Sequence, residues 1–226
     1  DEHGVIAIMI NIRNTDGTLA WEWSVGEEAS LTSELFTNGY SVDGVYLEGS
    51  YGQIGYPQSL GQVVVVTTEK SPTCAYYDYA TWADEAAAAL GHSLASYRNR
   101  LYVLPTEAYS ACKWLALGQV GNYGNTTYSY RSWTTMIDAL AIAHEFGHNN
   151  GWHHAAIDPE NDSQIGSKSE EYGDWSGLMG FCCAERKFNA VHVEQIGWLD
   201  AWSGRVQTVT AAGTYTIAAL GTDPAA

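Results

Sequence analysis

Apolar and polar positions alternate in short runs along the first half of the chain. They then give way to one clear helical signal and, after it, to a polar stretch with little pattern. Val5–Ile12 alternates, is rich in Ile and predicts a buried strand, with a turn at Thr15-Asp16-Gly17. Ala29, Leu31, Leu35 and Phe36 follow Glu27 and Glu28 at helical spacing, which predicts a helix over Glu27–Phe36 ending near Asn38-Gly39. Val45–Leu47 and Gln62–Thr68 read as strands, and the valine run Val63–Val66 suits a strand buried on both faces. Between them Ser50-Tyr51-Gly52-Gln53 is a polar turn. Ala80, Ala83, Ala87, Leu90 and Leu94 line up on one face and predict a helix over Ala75–Tyr97. Leu101–Leu104, stopped at Pro105, and Trp114–Val120 are further strands, and Asn122–Ser129 is a loop. Met136–Asn150 is the clearest helix, with Ile137, Leu140, Ala141, Ile142 and Ala143 on its inner side and Gly151 as a natural stop.

About 45 residues after Gly151 are rich in Gly, Ser, Asp and Asn and carry few element signals. A stretch that long inside a domain is usually functional. His192–Leu199 predicts a short helix, and Val206–Ile217 predicts two strands. The expected architecture is an α/β (α+β) fold. A twisted mixed sheet with two long helices forms an upper part, 1–151, above a loop-rich lower part, 152–203. Residues 204–226 are expected to open a β-rich C-terminal region of a longer protein.

Composition narrows the class. Hydrophobic residues are 46% of the 226, enough for a sizeable core, and the formal net charge is −16. So acidic a chain repels phosphate backbones and anionic lipid surfaces, which argues against a nucleic-acid partner. No apolar run approaches the roughly 20 residues of a membrane span, so no membrane insertion is expected. The chain opens Asp-Glu-His, without Met, which suggests a processed mature protein or a trimmed sequence. Cys182 and Cys183 are adjacent and would bond each other only with strain. The simplest expectation is therefore that they pair with Cys74 and Cys112, in an oxidising compartment; the alternative is free buried thiols.

The chemistry lies in residues 144–154, His-Glu-Phe-Gly-His-Asn-Asn-Gly-Trp-His-His. On a helix, His144 and His148 are one turn apart on one face and can point two imidazoles at one ion. Glu145 sits beside that face and can reach a water on the metal without ligating it. Gly151 can take positive φ and turn the chain back, so that His154 supplies a third ligand and a fourth position stays open for water. His153 competes for the third place, but the spacing from Gly151 favours His154. Only 7 residues of the chain are His, so three of them arriving at these offsets by accident is improbable.

This pattern, HExxHxxGxxH, resembles the signature of the metzincin zinc endopeptidases. Those enzymes carry a methionine-bearing turn beneath the zinc, and Tyr172-Gly173-Asp174 through Met179-Gly180 fits that place. Within the clan the chain most resembles the gametolysin-like peptidases, which digest algal cell-wall glycoproteins and have bacterial relatives. The matching pieces are that segment, Ser50-Tyr51-Gly52-Gln53 and Gln195-Ile196-Gly197-Trp198-Leu199, over about residues 5–200. Two departures stand out. Phe181 occupies the place where some relatives have a tyrosine ligand, and Ala155 follows the third His where astacin-like and adamalysin-like enzymes differ.

The resemblance implies a metzincin-like fold and a secreted zinc endopeptidase. One catalytic Zn2+ would be held by His144, His148 and His154, with Glu145 as catalytic base and with Gly151 and Met179 structural at the site. It also implies a protein or glycoprotein substrate lying antiparallel to an edge strand, for which Trp114, Leu115, Ala116, Leu117 and Gly118 are the candidate residues. A propeptide that inhibits the precursor and a monomeric enzyme are further expectations. Acidic loops at Asp158–Asp162 and Glu170–Asp174 make calcium possible, although neither has EF-hand spacing. Two rival readings are a non-catalytic zinc-stabilised recognition module, which would need a fourth protein ligand, and a zinc amidase acting on non-peptide amides.

Overall fold

A computed structural model describes residues 1–69, 74–125, 127–158, 170–181, 187–199 and 206–216. The first apolar run forms β1 (Val5–Arg13), whose residues Val5 to Ile10 are fully buried. A tight turn, in which the Asp16 carboxylate accepts from the Thr18 backbone N–H at 2.9 Å, leads into β2 (Leu19–Trp21), a short strand without an alternation long enough to predict. Helix α1 (Glu27–Thr32) runs on into a π-helical turn over Ser33–Thr37, so the helix predicted there forms with a wider last turn.

Helix α2 (Val42–Gly49) occupies the place where Val45–Leu47 suggested a strand. The reason is local. Ser41 caps it by accepting from Gly44 N–H at 3.1 Å, and Val42, Val45 and Tyr46 bury one helical stripe. A three-residue apolar window cannot distinguish that stripe from a strand. Strand β3 (Gly61–Glu69) buries Val64 and Val66 but leaves Val65 38% exposed, because β3 is an edge strand covered on one face only. Helix α3 (Tyr76–Ala89) stops short of the predicted Tyr97: Gly91 takes φ +95°, and Leu90 is exposed where it was expected to face the core.

Strand β4 (Asn99–Val103), helix α4 (Tyr109–Cys112), β5 (Ala116–Gly118) and β6 (Tyr130–Thr134) complete the sheet. Only the middle of the predicted Trp114–Val120 strand pairs, and β6 has no counterpart in the sequence reading. Helix α5 (Ala139–Asn149) carries the histidine motif. Between it and α6 (Ala190–Gln195) the described residues contain only one isolated bridge, Ile157 to Glu170, as expected for a loop-rich lower part. Residues 206–216 are exposed and form no strand. The rest of the segment expected to be β-rich, 200–205 and 217–226, lies outside the described residues.

The sheet is mixed. Strands β3, β1, β4 and β6 run parallel, and β5 closes the far edge antiparallel to β6. β1 pairs with β3 along its whole length. On its other side it pairs with β4 through Val5–Met9 and with β2 at Ile12 and Arg13. Side-chain alternation along β1 divides the core. Ile6, Ile8, Ile10 and Ile12 pack with Tyr79, Ala80, Ala83 and Ala87 of α3, whereas Val5, Ala7 and Met9 pack with residues of α1, α2 and α5. The result is helix, sheet, helix, with α3 and α5 as the two long helices. Asp84 on α3 ties this to the sheet through Arg100 (2.9 Å), Arg131 (2.8 Å) and the Tyr102 hydroxyl (2.7 Å).

Cys74 bonds to Cys112, joining the start of α3 to the end of α4. This overturns the expected links to Cys182 and Cys183, which lie outside the described residues. Adjacency constrains two cysteines relative to each other but says nothing of which segments the fold brings together. The bridge closes a loop of 38 residues. The Cys74→Ala/Cys112→Ala double variant is therefore expected to lose about 2–4 kcal/mol in reversible urea unfolding. A loss below a few tenths would show that the bridge adds no constraint.

His3 packs edge-on against Tyr56 (5.5 Å), and its Nδ1 has no hydrogen-bond partner. Burial, helped by Arg98 and the N-terminal amine, pushes its pKa from 6.5 down to about 3. As pH falls the unfolded chain takes up this proton first, so the stabilising effect present above 6.5 is lost on the way to 3. His3→Phe is expected to flatten the pH dependence of the unfolding midpoint across that window. An unchanged slope would show that His3 does not contribute to it.

Candidate metal centre and active-site cleft

Helix α5 is fixed at both ends. Asp138 caps it by accepting from Ala141 N–H at 2.8 Å, and Glu34 accepts from Ala139 N–H at 3.1 Å. At the other end Gly151 has φ +99°, its N–H bonds to His148 O (2.8 Å), and Trp152 N–H bonds to Gly147 O (3.1 Å). That pair of bonds is a Schellman stop, and it reverses the chain toward His154. Asn149 anchors the same end. Its Oδ1 accepts from Asn99 Nδ2 (2.9 Å) and the Ser132 hydroxyl (3.0 Å), and its Nδ2 donates to Gln119 O (2.9 Å).

His144, His148 and His154 converge: one ligand nitrogen from each lies within 4.8 Å of the others. The partners of their other nitrogens decide the tautomers. His144 Nδ1 faces Leu178 O at 2.7 Å, His148 Nδ1 faces Trp152 O at 2.8 Å, and His154 Nδ1 faces the Glu171 carboxylate at 2.6 Å. All three partners accept only, so each Nδ1 carries the proton and each Nε2 presents a lone pair. His148 Nε2 and His154 Nε2 stand 3.1 Å apart with lone pairs toward each other, an arrangement that a cation between them relieves. Burial above all holds His144 and His148 neutral, with pKa values of about 4. A neutral, Nδ1-protonated three-imidazole set fits zinc, with room for a fourth, non-protein ligand. His153 is exposed and outside this cluster.

Glu145 lies on the buried side of α5, 6% exposed, and burial raises its carboxyl to about 8. A divalent cation bound beside it would pull that value back down. Met179 is fully buried beneath the helix. A Cβ added to Gly147 would come within 2.3 Å of its Sδ, so the helix rests directly on this side chain. Met179 O accepts from Ala155 N–H at 2.7 Å, which holds the return segment leading to His154. Phe181 is exposed and stacks on Trp175 (4.3 Å), away from the histidine rings.

A cleft of about 550 Å³ opens in front of these groups. Trp114, Leu115, Ala116, Leu117 and Gly118 line one wall; His144, Glu145, His148, His154, Glu171 and Tyr172 line the other. All five positions predicted for substrate therefore border the same cleft as the histidines. No helix among the described residues is long and apolar enough to cross a membrane.

The gametolysin peptidase M11 family model matches residues 10–224. The chain belongs to that family. It is accordingly a zinc metallopeptidase, and among the described residues the His144–His148–His154 cluster is a group able to hold a metal ion. No curated protein sequence matches the chain. The match covers the pieces that suggested gametolysin-like peptidases and extends past residue 200.

Three contributors to this gametolysin-family site escaped the sequence reading. Glu171 pairs with His154, the Tyr172 ring packs at a tilt on the His154 ring (4.0 Å), and Leu178 offers its carbonyl to His144. Glu171 and Tyr172 fall in a segment with no periodicity, and Leu178 acts through its backbone, which no side-chain pattern reveals. The described residues of the two acidic loops have partners of their own. Asp174 is engaged with Ser176 and Asn189, Glu171 with His154, and 159–162 lie outside the described residues.

Gly118 brings β5 against the active helix. An added Cβ would meet Glu145 O at 2.6 Å, Glu145 Oε2 at 3.0 Å and His148 Cβ at 3.1 Å. Gly118→Ala is expected to cost about 1–3 kcal/mol in urea unfolding and to lower peptidase activity. Gly39→Ala, with open space around it, should change neither. Equal stability of the two variants would show that the strand has room to spare.

Proposed function

We propose that this chain is a secreted endopeptidase that cleaves proteins or cell-wall and matrix glycoproteins, with Glu145 as the catalytic base. The observation that carries this reading is the meeting, in one cleft, of three lone-pair nitrogens, a buried carboxylate and a sheet edge. Zinc held by the three Nε2 atoms would polarise the scissile carbonyl and acidify water.

Glu145 adjoins this centre with no paired cation or hydrogen-bond donor among the described residues; with a divalent cation beside it to pull its pKa back down, its carboxylate would take a proton from the attacking water. It then delivers that proton to the leaving amine. Strand β5 is the last in the sheet, and its outer edge faces the cleft. An extended peptide can add to such an edge antiparallel, with main-chain hydrogen bonds holding it in register above His144 and His148. An edge of this kind favours a polypeptide over a small amide. A structural zinc module would place a fourth protein ligand in the cluster, and the described residues supply three.

In this reading, residues 1–203 form the catalytic domain, with the cleft between the upper part (1–151) and the lower part (152–203). Met179 and Gly151 shape the floor and the return of the chain. The Cys74–Cys112 bridge supports an oxidising, extracellular setting.

Casein or gelatin digestion by the wild type, Glu145→Gln and Glu145→Ala, with zinc quantified in each, tests the proposal. Both variants should lose at least about a hundredfold in rate while keeping stoichiometric zinc, and a chelator should abolish wild-type activity. Undiminished proteolysis in the variants would remove Glu145 as the base.

A further inference from the structure

We propose that Glu171 is a positioning residue for the metal centre: its carboxylate holds His154 in the ligating tautomer and orientation, and so sets how tightly the site retains zinc. This rests on the reading of the three histidines as one metal site.

The three ligands are not held alike. His144 and His148 project from one buried helix, and each donates its Nδ1–H to a backbone carbonyl that packing fixes in place. His154 lies on a loop, is partly exposed, and depends on a side chain for the equivalent bond. The Glu171 oxygen is 2.6 Å from His154 Nδ1, a short charge-assisted contact that requires the proton on Nδ1 and leaves Nε2 as the donor atom. That Nε2 faces His148 Nε2 at 3.1 Å. Released from Glu171, the ring can take the other tautomer or turn out of the cluster, and the site falls to two fixed ligands.

The same turn clamps the ring from a second side. The Tyr172 ring packs on His154 at a tilt with centroids 4.0 Å apart, and the isolated bridge between Ile157 and Glu170 pins this turn to the segment that follows His154. Glu171 does little else for the fold. Its side chain is 70% exposed, and an ion pair that open adds almost nothing to stability. Its role is therefore visible in zinc affinity and absent from the stability of the metal-free protein.

The test is zinc affinity, measured by competition with a chromophoric chelator on metal-stripped full chain reloaded with zinc at fixed pH, together with the melting temperature of the metal-free protein. Glu171→Ala is expected to weaken zinc binding about 10–100-fold. Glu171→Gln keeps an acceptor oxygen without the charge and should fall between it and the wild type. Metal-free melting temperatures should agree across all three. Equal zinc affinity in all three proteins overturns the proposal, as does a weakening in both variants matched by a fall in metal-free melting temperature. Failure of the wild type to bind one zinc would instead overturn the metal-site reading beneath it.

Discussion

Three imidazole lone pairs aimed at one point repel one another, and much of the lower half of the protein holds them there. Each Nδ1–H is consumed by an acceptor that the fold supplies: Leu178 O, Trp152 O and the Glu171 carboxylate. These acceptors come from the methionine-bearing turn, the Schellman reversal and the turn after Glu170. The segments without periodic structure are thus the ones that fix the tautomers. Neutral histidines buried without a counter-charge disfavour protonation, which is why burial depresses His144 and His148 and leaves them ready for a cation.

The platform beneath is aromatic. Trp152, Phe188 and Trp198 contact one another, Phe188 and Trp198 also meet Tyr46, and Tyr56 packs on Tyr46 and Phe146. Trp152 also donates to His192 O at 2.9 Å. Large rigid side chains with few rotamers fill space at low entropic cost. Here they join α2, α5, α6 and the lower segment into one core, so the lower part needs no sheet of its own to hold its shape. The Tyr46 hydroxyl reaches Ala143 O beside His144 at 2.9 Å, extending this packing to the histidine cluster.

What the sequence made legible follows the range of the interactions concerned. β1 and α5 were readable because each is specified by its own side chains: an Ile-rich alternation, and a helical stripe with a glycine stop. β2 and β6 were not. β2 has three residues, and β6 owes its place to pairing with β4 and β5 rather than to a run of apolar residues. The Val45–Leu47 error came from a window shorter than one helical repeat. His144, Glu145 and His148 were legible because one helical turn fixes their geometry, and His154 because Gly151 marks the reversal that brings the chain back to them. Glu171 was not, since the contact between residues 154 and 171 is made across a segment with no pattern of its own.

The site also explains why glycines stand where the sheet edge meets the active helix. For β5 to flank a helix that carries bulky ligands, its backbone must come close to that helix, and Gly118 and Gly121 are where it does. Gly121 N–H bonds to His148 O at 2.7 Å, and a Cβ on Gly121 would lie 1.9 Å from Asn149 O. The sheet edge is thereby bonded to the helix end that carries His148. In the proposed mode of action, a peptide laid along that edge inherits the position of the metal ligands through the backbone. Attack geometry would then depend on the spacing between one strand and one helix, and two glycines set that spacing.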